Sequence, residues 1–477
     1  MAYVLALIEG MAIFVVISLE VWIGTWPFSD NWNGAAPVLI KGAVLALFFV
    51  IVLYYNDLYN LRAVPNWTRF VSRLPRVALM IAFLHAVFLI ISRSSFISTD
   101  SFLPVVRTPL FIAGILLPFR AACYRILSDR RRIKRLLILG ATPLAGKLIE
   151  EIQSHPDCGY SFLGLVDDAP ASGDPYLHDS WLGPLQQFGR ILEEARPDRV
   201  IVTLPAYSQL PVRDLLEARL HGVVVEDGVK VYERLAGKLA IESLMPNNLI
   251  FQKDFRKSEI LLVFRRAFSL IAAAFGLVLA LPLMGVIALL IKLDSAGPVL
   301  FIQERVGLMG RNFLLLKFRT MRPVNGKTSE WVRDNGNRIT RVGKWLRKFR
   351  LDELPQLVNV LLGDMDLVGP RPHPVSNFRL FVVVLRNAPD CGIAIPYYSL
   401  RSAVRPGITG WAQIRYGYAN DLEEEIEKIR YDLYYIKHMS LWFDLRIIFD
   451  TVKIALLGRG SESPHAYRAE SAVESEA

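Results

Sequence analysis

Residues 267–291 read AFSLIAAAFGLVLALPLMGVIALLI, 25 residues without a charge. At 1.5 Å per residue the run is long enough to cross a bilayer core of about 30 Å. Gly276, Pro282 and Gly285 lie inside it, and a proline there removes a helical hydrogen bond and forces a kink. Arg265 and Arg266 precede the run, and Lys292, Arg305, Arg311, Lys317 and Arg319 follow it. Basic flanks favour the cytoplasmic side. The expectation is therefore a re-entrant helix over 264–292 that enters, bends at Pro282 and leaves by the same face. An ordinary spanning helix with a tolerated proline is the alternative.

The rest of the chain fits a membrane protein with large soluble parts: 477 residues, 53% hydrophobic, net charge +10. Four apolar blocks, Tyr3 to Trp26, Pro37 to Tyr55, Val77 to Ile91 and Phe102 to Leu127, predict a four-helix transmembrane region over 1–130. Arg107, Pro109, Pro118 and Arg120 interrupt the fourth. Arg62, Arg69, Arg73 and Arg76 follow the second block and Arg130, Arg131, Arg132, Lys134 and Arg135 the fourth, whereas 26–36 has no Lys or Arg. Both chain ends are expected in the cytoplasm. Glu9 and Glu20 in the first block argue against a cleaved signal sequence. Near block ends, such acids read either as functional intramembrane groups or as interfacially solvated ones. Cys123, Cys158 and Cys391 form no CxxC pair, so neither a zinc site nor a disulfide framework is expected.

From residue 131 to 252, strand-like runs at Leu136 to Leu139, Phe162 to Val166, Val200 to Leu204 and Val223 to Val225 alternate with amphipathic stretches. This is a βαβ series and hence a parallel sheet. Its first turn, Gly140-Ala141-Thr142-Pro143-Leu144-Ala145-Gly146, lacks the later glycines of a dinucleotide loop, although Asp167 and Asp168 stand where a ribose-binding acid would. A degenerate Rossmann-like module, serving as spacer, dimer contact or weak nucleotide site, is the expectation.

Residues 253–460 form the third region. Val299 to Gln303 and Phe313 to Lys317 read as a hairpin around Gly307 to Arg311. Arg338, Arg341, Lys344, Arg347, Lys348 and Arg350 then place six cations within thirteen residues, directly ahead of Asp352 and Glu353. A solvated helix face would explain such a run by itself. Leu354, Leu357, Val358, Leu361 and Leu362 recur at helical spacing, Pro355 suits a first turn and Gly363 a stop, so a helix is predicted over 352–363 with both acids at its N-terminus. Exposed N–H groups there favour phosphate. Asp352 as a plain helix cap is the bland reading, at about 1 kcal/mol. It leaves Glu353, the cations and Arg371 without a role. Two adjacent carboxylates among guanidinium groups suit displacement at phosphorus: one acid attacks, the other holds a divalent ion, and the cations screen the oxygens. Hard oxygen ligands with no His or Cys cluster nearby point to Mg²⁺.

Over residues 255–460 the chain resembles the polyprenyl-phosphate glycosyl-1-phosphate transferases, or monotopic phosphoglycosyl transferases, of bacterial exopolysaccharide and O-antigen assembly. The carrying motifs are the proline-bearing helix, Lys292-Leu293-Asp294-Ser295-Ala296-Gly297-Pro298-Val299, Lys317-Phe318-Arg319-Thr320-Met321, Leu351-Asp352-Glu353-Leu354-Pro355-Gln356, Gly363-Asp364-Met365, Gly369-Pro370-Arg371-Pro372, Arg405-Pro406-Gly407-Ile408-Thr409-Gly410-Trp411 and Tyr431-Asp432-Leu433-Tyr434-Tyr435-Ile436. The membrane region and Rossmann-like module are similar to the long members. Gln413-Ile414-Arg415-Tyr416-Gly417-Tyr418 resembles the EpsB-type, PEP-CTERM-associated branch. The resemblance implies an enzyme of the inner membrane's cytoplasmic face. Asp352 would attack the β-phosphorus of a UDP-sugar and expel UMP, and polyprenyl phosphate would accept the sugar phosphate. It further implies Mg²⁺ at Glu353, substrate contacts from Lys317, Arg319, Arg341, Arg371, Pro372, Arg405 and Thr409, and a structural kink at Pro282. Expected partners are UDP-sugar, polyprenyl phosphate, membrane lipid and a second copy of the chain, with no nucleic acid. Many relatives have Ser where this chain has Leu281, so the helix break rests on proline alone.

The fold class expected is thus a membrane protein of α+β type, with a catalytic α/β domain and interfacial amphipathic helices. Leu441, Trp442, Leu445, Ile448, Phe449, Val452, Leu456 and Leu457 give one apolar helical face, suited to an interface or to a core. Ser461 to Ala477, with four Glu against one Arg, is expected to be a disordered acidic tail. Two other readings compete. A membrane-anchored UDP-sugar dehydratase would need an intact glycine loop and a Tyr-x-x-x-Lys pair, which none of the 17 tyrosines provides. A non-enzymatic export scaffold would use the cations for lipid and the acids only to pair with them.

Overall fold

A computed structural model describes residues 2–22, 35–56, 58–59, 67–91, 114, 117–122, 133–154, 158–168, 180–204, 210–241, 257–322, 338–375, 398–416 and 422–457. The chain forms two compact units. In the first, helices α1 (Ala2–Trp22), α2 (Ala35–Tyr55) and α3 (Trp67–Ile91) bury Ile13, Leu45, Phe49, Val52, Phe70 and Val77 against one another. Leu7, Met11, Leu47, Leu79 and Phe83 face outward. Of the fourth apolar block only residues 114 and 117–122 are described, and they are helical. The tail lies outside the described residues, as do Cys123 and Cys391.

Inside this bundle Glu9 and Arg120 are both buried and form a two-pronged ion pair, with Arg120 Nη2 2.8 Å from Glu9 Oε2. Arg120 also donates to the Leu58 carbonyl and lies over the Tyr59 and Phe70 rings at 5.0 and 5.5 Å. Glu9 is therefore not an interfacially solvated acid. The arginine that interrupts the fourth apolar block neutralises it, as a charge in an apolar interior requires.

The chain continues with β1 (Lys134–Leu139), α4 (Pro143–Ser154), β2 (Tyr160–Val166), β3 (Trp181–Gly183), α5 (Phe188–Ala195), β4 (Arg199–Val202), α6 (Val212–Leu220) and β5 (Val224–Asp227). Strand order is β3-β2-β1-β4-β5, with β1–β2 and β2–β3 parallel. That is the order of the first five strands of a doubly wound nucleotide-binding sheet. The central run Leu136–Leu139 is wholly buried, which explains its uninterrupted apolar sequence. β3, three residues long, is too short to announce itself by alternation.

The second unit holds Glu226–Ala477, together with Thr142–Lys147 and Val202–Leu210. Helix α7 (Gly228–Ala236) and the segment after it pack with the C-terminal elements. Glu233 is buried against Lys437 at 2.8 and 3.0 Å, Lys238 meets Glu427, and Gly237 O accepts from Trp411 Nε1 at 2.7 Å. Leu239 and Ile241 enter the same core as Trp411, Ile429, Leu433 and Ile436. Next comes α8 (Glu259–Asp294), a 36-residue helix with Pro282 inside it. Then follow the antiparallel hairpin β6 (Leu300–Val306) and β7 (Asn312–Phe318), α9 (Arg341–Lys348), α10 (Gln356–Leu362), β8 (Asp366–Val368), β9 (Gly407–Thr409), α11 (Trp411–Arg415), α12 (Leu422–His438) and α13 (Leu441–Leu457). The hairpin turns within 307–311 as its sequence predicts; Met309 there is left-handed (φ 52°).

Near its start, α8 is fastened by Arg265 to Asp444 at 2.6 Å, and by Arg266 to Asp366 at 2.9 Å and to the Met365 and Val360 carbonyls. At its other end Asp294 accepts from Val342 N at 3.1 Å, and Ile287 and Ile291 pack with Phe318 and Leu346. Ala273 packs between these ends with Leu315 and Val360. One face thus rests on the remainder of this unit near both ends and in the middle, while Ile271, Phe275, Val278, Leu279, Val286 and Leu293 are exposed.

Candidate active site

Residues 352–363 do not form one helix. Leu351–Glu353 make a single 3₁₀ turn, and α10 starts only after Pro355, which occupies its N-cap with no side-chain capping bond. The bland role for Asp352, capping that helix, is therefore not realised. Gly363 ends α10 in the left-handed region (φ 99°), as its sequence position suggests. The inward face of α10 is partly polar: Leu361 and Leu362 are exposed, while buried Asn359 accepts from Leu316 N (3.0 Å) and donates to Leu314 O (2.7 Å). This side-chain pair locks α10 to β7 and so sets the distance between the acids and Lys317.

The turn owes its shape to Arg350, whose backbone is left-handed (φ 54°), an uncommon state for a residue with a Cβ. It brings the Arg350 guanidinium back onto Glu353, Nη2 to Oε2 3.1 Å. Arg371 Nη1 reaches Glu353 Oε1 at 3.0 Å, and Lys317 Nζ stands 3.9 Å from that oxygen. Glu353 is buried. Burial by itself would raise its carboxyl, but Arg350, Arg371 and Lys317 prevail and hold it below the usual carboxylate range. Lys317 is pushed down to about 7, first by burial and then by the charge of Arg371.

Asp352 differs from its neighbour. It is half-buried and, among the described residues, makes no hydrogen bond. Burial, then the charge of Glu353, raises its carboxyl, against the pull of Lys317, Arg347 and Arg350. One acid is thus locked and anionic, the other unengaged and more basic. Environments that push two neighbouring carboxyls apart are how one site assigns them separate roles.

The cation run divides by function. Arg341, Lys344 and Lys348 are solvent-exposed on α9. Arg347 donates to Thr320 Oγ1 at 3.0 Å, and Arg350 forms the ion pair with Glu353. Gly343 lets α9 lie against the strand exit, since a Cβ there would come within 2.2 Å of Thr320 O. Of the residues expected to touch substrate, Lys317 and Arg371 converge on Glu353. Arg319 is buried and donates to the carbonyls of Ser295 (2.6 Å) and Ala296 (2.9 Å), holding the end of α8. Arg405 donates to Gly363 O. Thr409 is buried and shares a 2.6 Å hydrogen bond with Thr451, and Pro372 is buried with its carbonyl on Arg305. These contacts lie inside the fold.

Sequence reasoning did not single out Arg401, His373 or Glu425. Arg401 pairs with Asp432 at 2.6 Å, and His373 Nε2 lies 3.4 Å from Glu425. Burial, then Arg401, pushes His373 down to about 4. With the ring neutral at pH 7, this contact is not an ion pair. Asp432 lay within a motif that carried the family resemblance; the other three had no local signal.

No cluster of three or more His, Cys, Asp or Glu side chains suited to a metal occurs among the described residues. Both Glu353 oxygens already accept from guanidinium groups, so Glu353 alone is a poor Mg²⁺ site. Taken together, Asp352 and Glu353 fit an ion that completes its shell with substrate phosphates and water, the usual manner of Mg²⁺.

In the Rossmann-like module the first turn is occupied from within. Asp167 accepts from Ala141 N and Asp168 from Leu185 N at 3.0 Å. The Ala141 N–H that would meet a phosphate is thus bonded to Asp167, and Asp168, the other acid that would meet a ribose, is bonded to Leu185.

Residues 260–458 match the family of bacterial sugar transferases, and residues 56–225 match a CoA-binding domain. The chain belongs to the bacterial sugar transferase family, in agreement with the resemblance carried by its motifs. It is 32% identical over 326 residues to the UDP-glucose:undecaprenyl-phosphate glucose-1-phosphate transferase of Escherichia coli K12, covering 67% of each chain. It is 42% identical over 233 residues to the UDP-N-acetylgalactosamine-undecaprenyl-phosphate N-acetylgalactosaminephosphotransferase of Aeromonas hydrophila. That match covers 49% of this chain and about half, 52%, of the relative. The exopolysaccharide production protein PSS of Rhizobium leguminosarum bv. phaseoli is 42% identical over 205 residues, 42% of this chain and 98% of the relative.

Proposed function

We propose that this chain transfers a sugar 1-phosphate from a UDP-sugar to polyprenyl phosphate at the cytoplasmic face of the bacterial inner membrane, the first membrane step of a surface polysaccharide. The observation that carries the reading is the split between the two acids: Glu353 locked among Arg350, Arg371 and Lys317, Asp352 unengaged beside them. In the first half-reaction an Asp352 oxygen bonds to the β-phosphorus as the bond to the bridging oxygen breaks, and UMP departs with that electron pair. In the second, a phosphate oxygen of the polyprenyl phosphate attacks the same phosphorus and the Asp352 carboxylate leaves. Lys317 and Arg371 bind the equatorial oxygens and relieve the repulsion between carboxylate and diphosphate. Mg²⁺, when bound at Asp352 and Glu353, supplies further neutralisation of the diphosphate.

The membrane placement follows the same logic. Both ends of α8 are fastened to one fold, through Asp444 and Asp366 at one end and Val342 at the other, which supports placing them on the same side of the bilayer. We therefore read α8 as re-entrant, with its exposed face in lipid, and α1–α3 plus the fourth apolar block as a four-helix transmembrane region. The exposed Trp442, Phe449, Val452 and Leu456 of α13 fit an interfacial helix, with Asp444 and Ile447 buried on its inner side. The test is retention of label from [β-³²P]UDP-N-acetylgalactosamine or [β-³²P]UDP-glucose on purified protein, mapped to a peptide. Adduct on Asp352, lost in Asp352→Asn together with UMP release, is expected; adduct on another side chain, or turnover by Asp352→Asn, refutes the mechanism.

A further inference from the structure

Arg371 is the most exposed of the three cations on Glu353, and its segment has little backbone bonding capacity of its own. Prolines stand on both sides of it, and neither has an N–H to donate. The segment is held instead through its carbonyls, by donors from three separate places. Pro370 O accepts from Gly407 N at 3.0 Å, Arg371 O from Arg401 Nη2 at 2.8 Å, and Pro372 O from Arg305 Nη1 at 3.1 Å. The middle tether is the unusual one. Arg401 is buried, and its Nε is anchored on the equally buried Asp432 of α12 at 2.6 Å. Burying such a pair costs desolvation that its attraction often fails to recover, so stability alone is a weak reason for it. Its geometry suggests another reason: a guanidinium can hold a carboxylate with one nitrogen and a carbonyl with a second in one fixed plane, which an ammonium cannot do.

We propose that Arg401, aimed by Asp432, is a positioning residue that fixes the backbone of Arg371 and thereby sets its guanidinium against Glu353 and the substrate phosphate. The inference rests on the transferase reading above. Arg401 touches no reacting atom; it acts through Arg371. The test is a double-mutant cycle on single-turnover adduct formation from [β-³²P]UDP-N-acetylgalactosamine and [β-³²P]UDP-glucose, with melting temperature recorded for each protein. Arg401→Lys and Asp432→Asn should each slow adduct formation about tenfold in the wild-type background, and by less than about twofold when Arg371 is already Ala. A residue that merely stabilises the core would slow both backgrounds by the same factor. Equal factors, or wild-type rates in both single variants, overturn the proposal while leaving the transferase reading intact. Should one variant fail to fold, the cycle is read from the other. Absence of adduct from the wild-type protein with both donors overturns the two readings together.

Discussion

Replacing Glu353 with Gln removes the anion shared by three cations while keeping the side chain's shape. Contacts of 3.0, 3.1 and 3.9 Å correspond, at an effective dielectric of about 20, to roughly 5, 5 and 4 kcal/mol of attraction. Desolvation cancels most of that, and removing one partner from a buried ion pair has a net cost of about 3–5 kcal/mol. For a unit of roughly 200 residues each kcal/mol shifts the melting temperature by about 2–4 °C, so a fall of about 10 °C is expected. The assay is thermal unfolding of wild type and variant in the same detergent from pH 3 to 8. Because the Glu353 carboxyl is held below its usual range in the folded protein, its stabilisation is complete above the unfolded value near 4 and is lost as pH falls through the lower folded value. The gap between the two proteins should therefore be wide at pH 7 and narrow in acid. A difference under about 2 °C at pH 7, or a gap that stays constant into acid, would refute the picture of one carboxylate holding three cations.

Lys317, pushed down to about 7, should lose its charge as pH rises through neutrality, so the KM for UDP-sugar should climb above pH 7; in Lys317→Arg, whose charge does not titrate, that inflection should vanish. Cysteines placed at Ser258 and Ala296, in a variant without Cys123, Cys158 and Cys391, should both react with a membrane-impermeant maleimide from the cytoplasmic side only; reaction from opposite sides would make α8 a spanning helix. Chelation by EDTA should abolish UMP release and Mg²⁺ should restore it, while the melting temperature moves by less than about 2 °C, since Arg350 and Arg371 already satisfy Glu353.

Much of the architecture was legible because it follows local rules. The Leu136–Leu139 strand and the 300–318 hairpin announced themselves through continuous apolar runs and a glycine-bounded turn. The sequence marked Asp352, Glu353, Lys317 and Arg371, which the fold brings together, but not their division of labour. Nothing in the string around Arg350 marks a left-handed backbone, since glycine or asparagine is the usual sign. Nor does the sequence separate Arg371, which reaches Glu353, from Arg319, which holds Ser295 and Ala296, and Arg405, which donates to the Gly363 carbonyl. Long-range pairs were the least visible: Glu9 and Arg120 stand 111 positions apart, and Arg401 and Asp432 31 positions apart. Pairing of this kind is decided by three-dimensional packing, on which periodicity is silent.

The segment from Glu226 to Ile241 carries a practical lesson for anyone trimming this enzyme. A fragment begun near residue 253 would leave Lys437 facing no carboxylate and expose the seam that Leu239 and Ile241 close against Trp411 and Ile429. A minimal version of this chain should begin at or before Glu226, or carry compensating changes along α12.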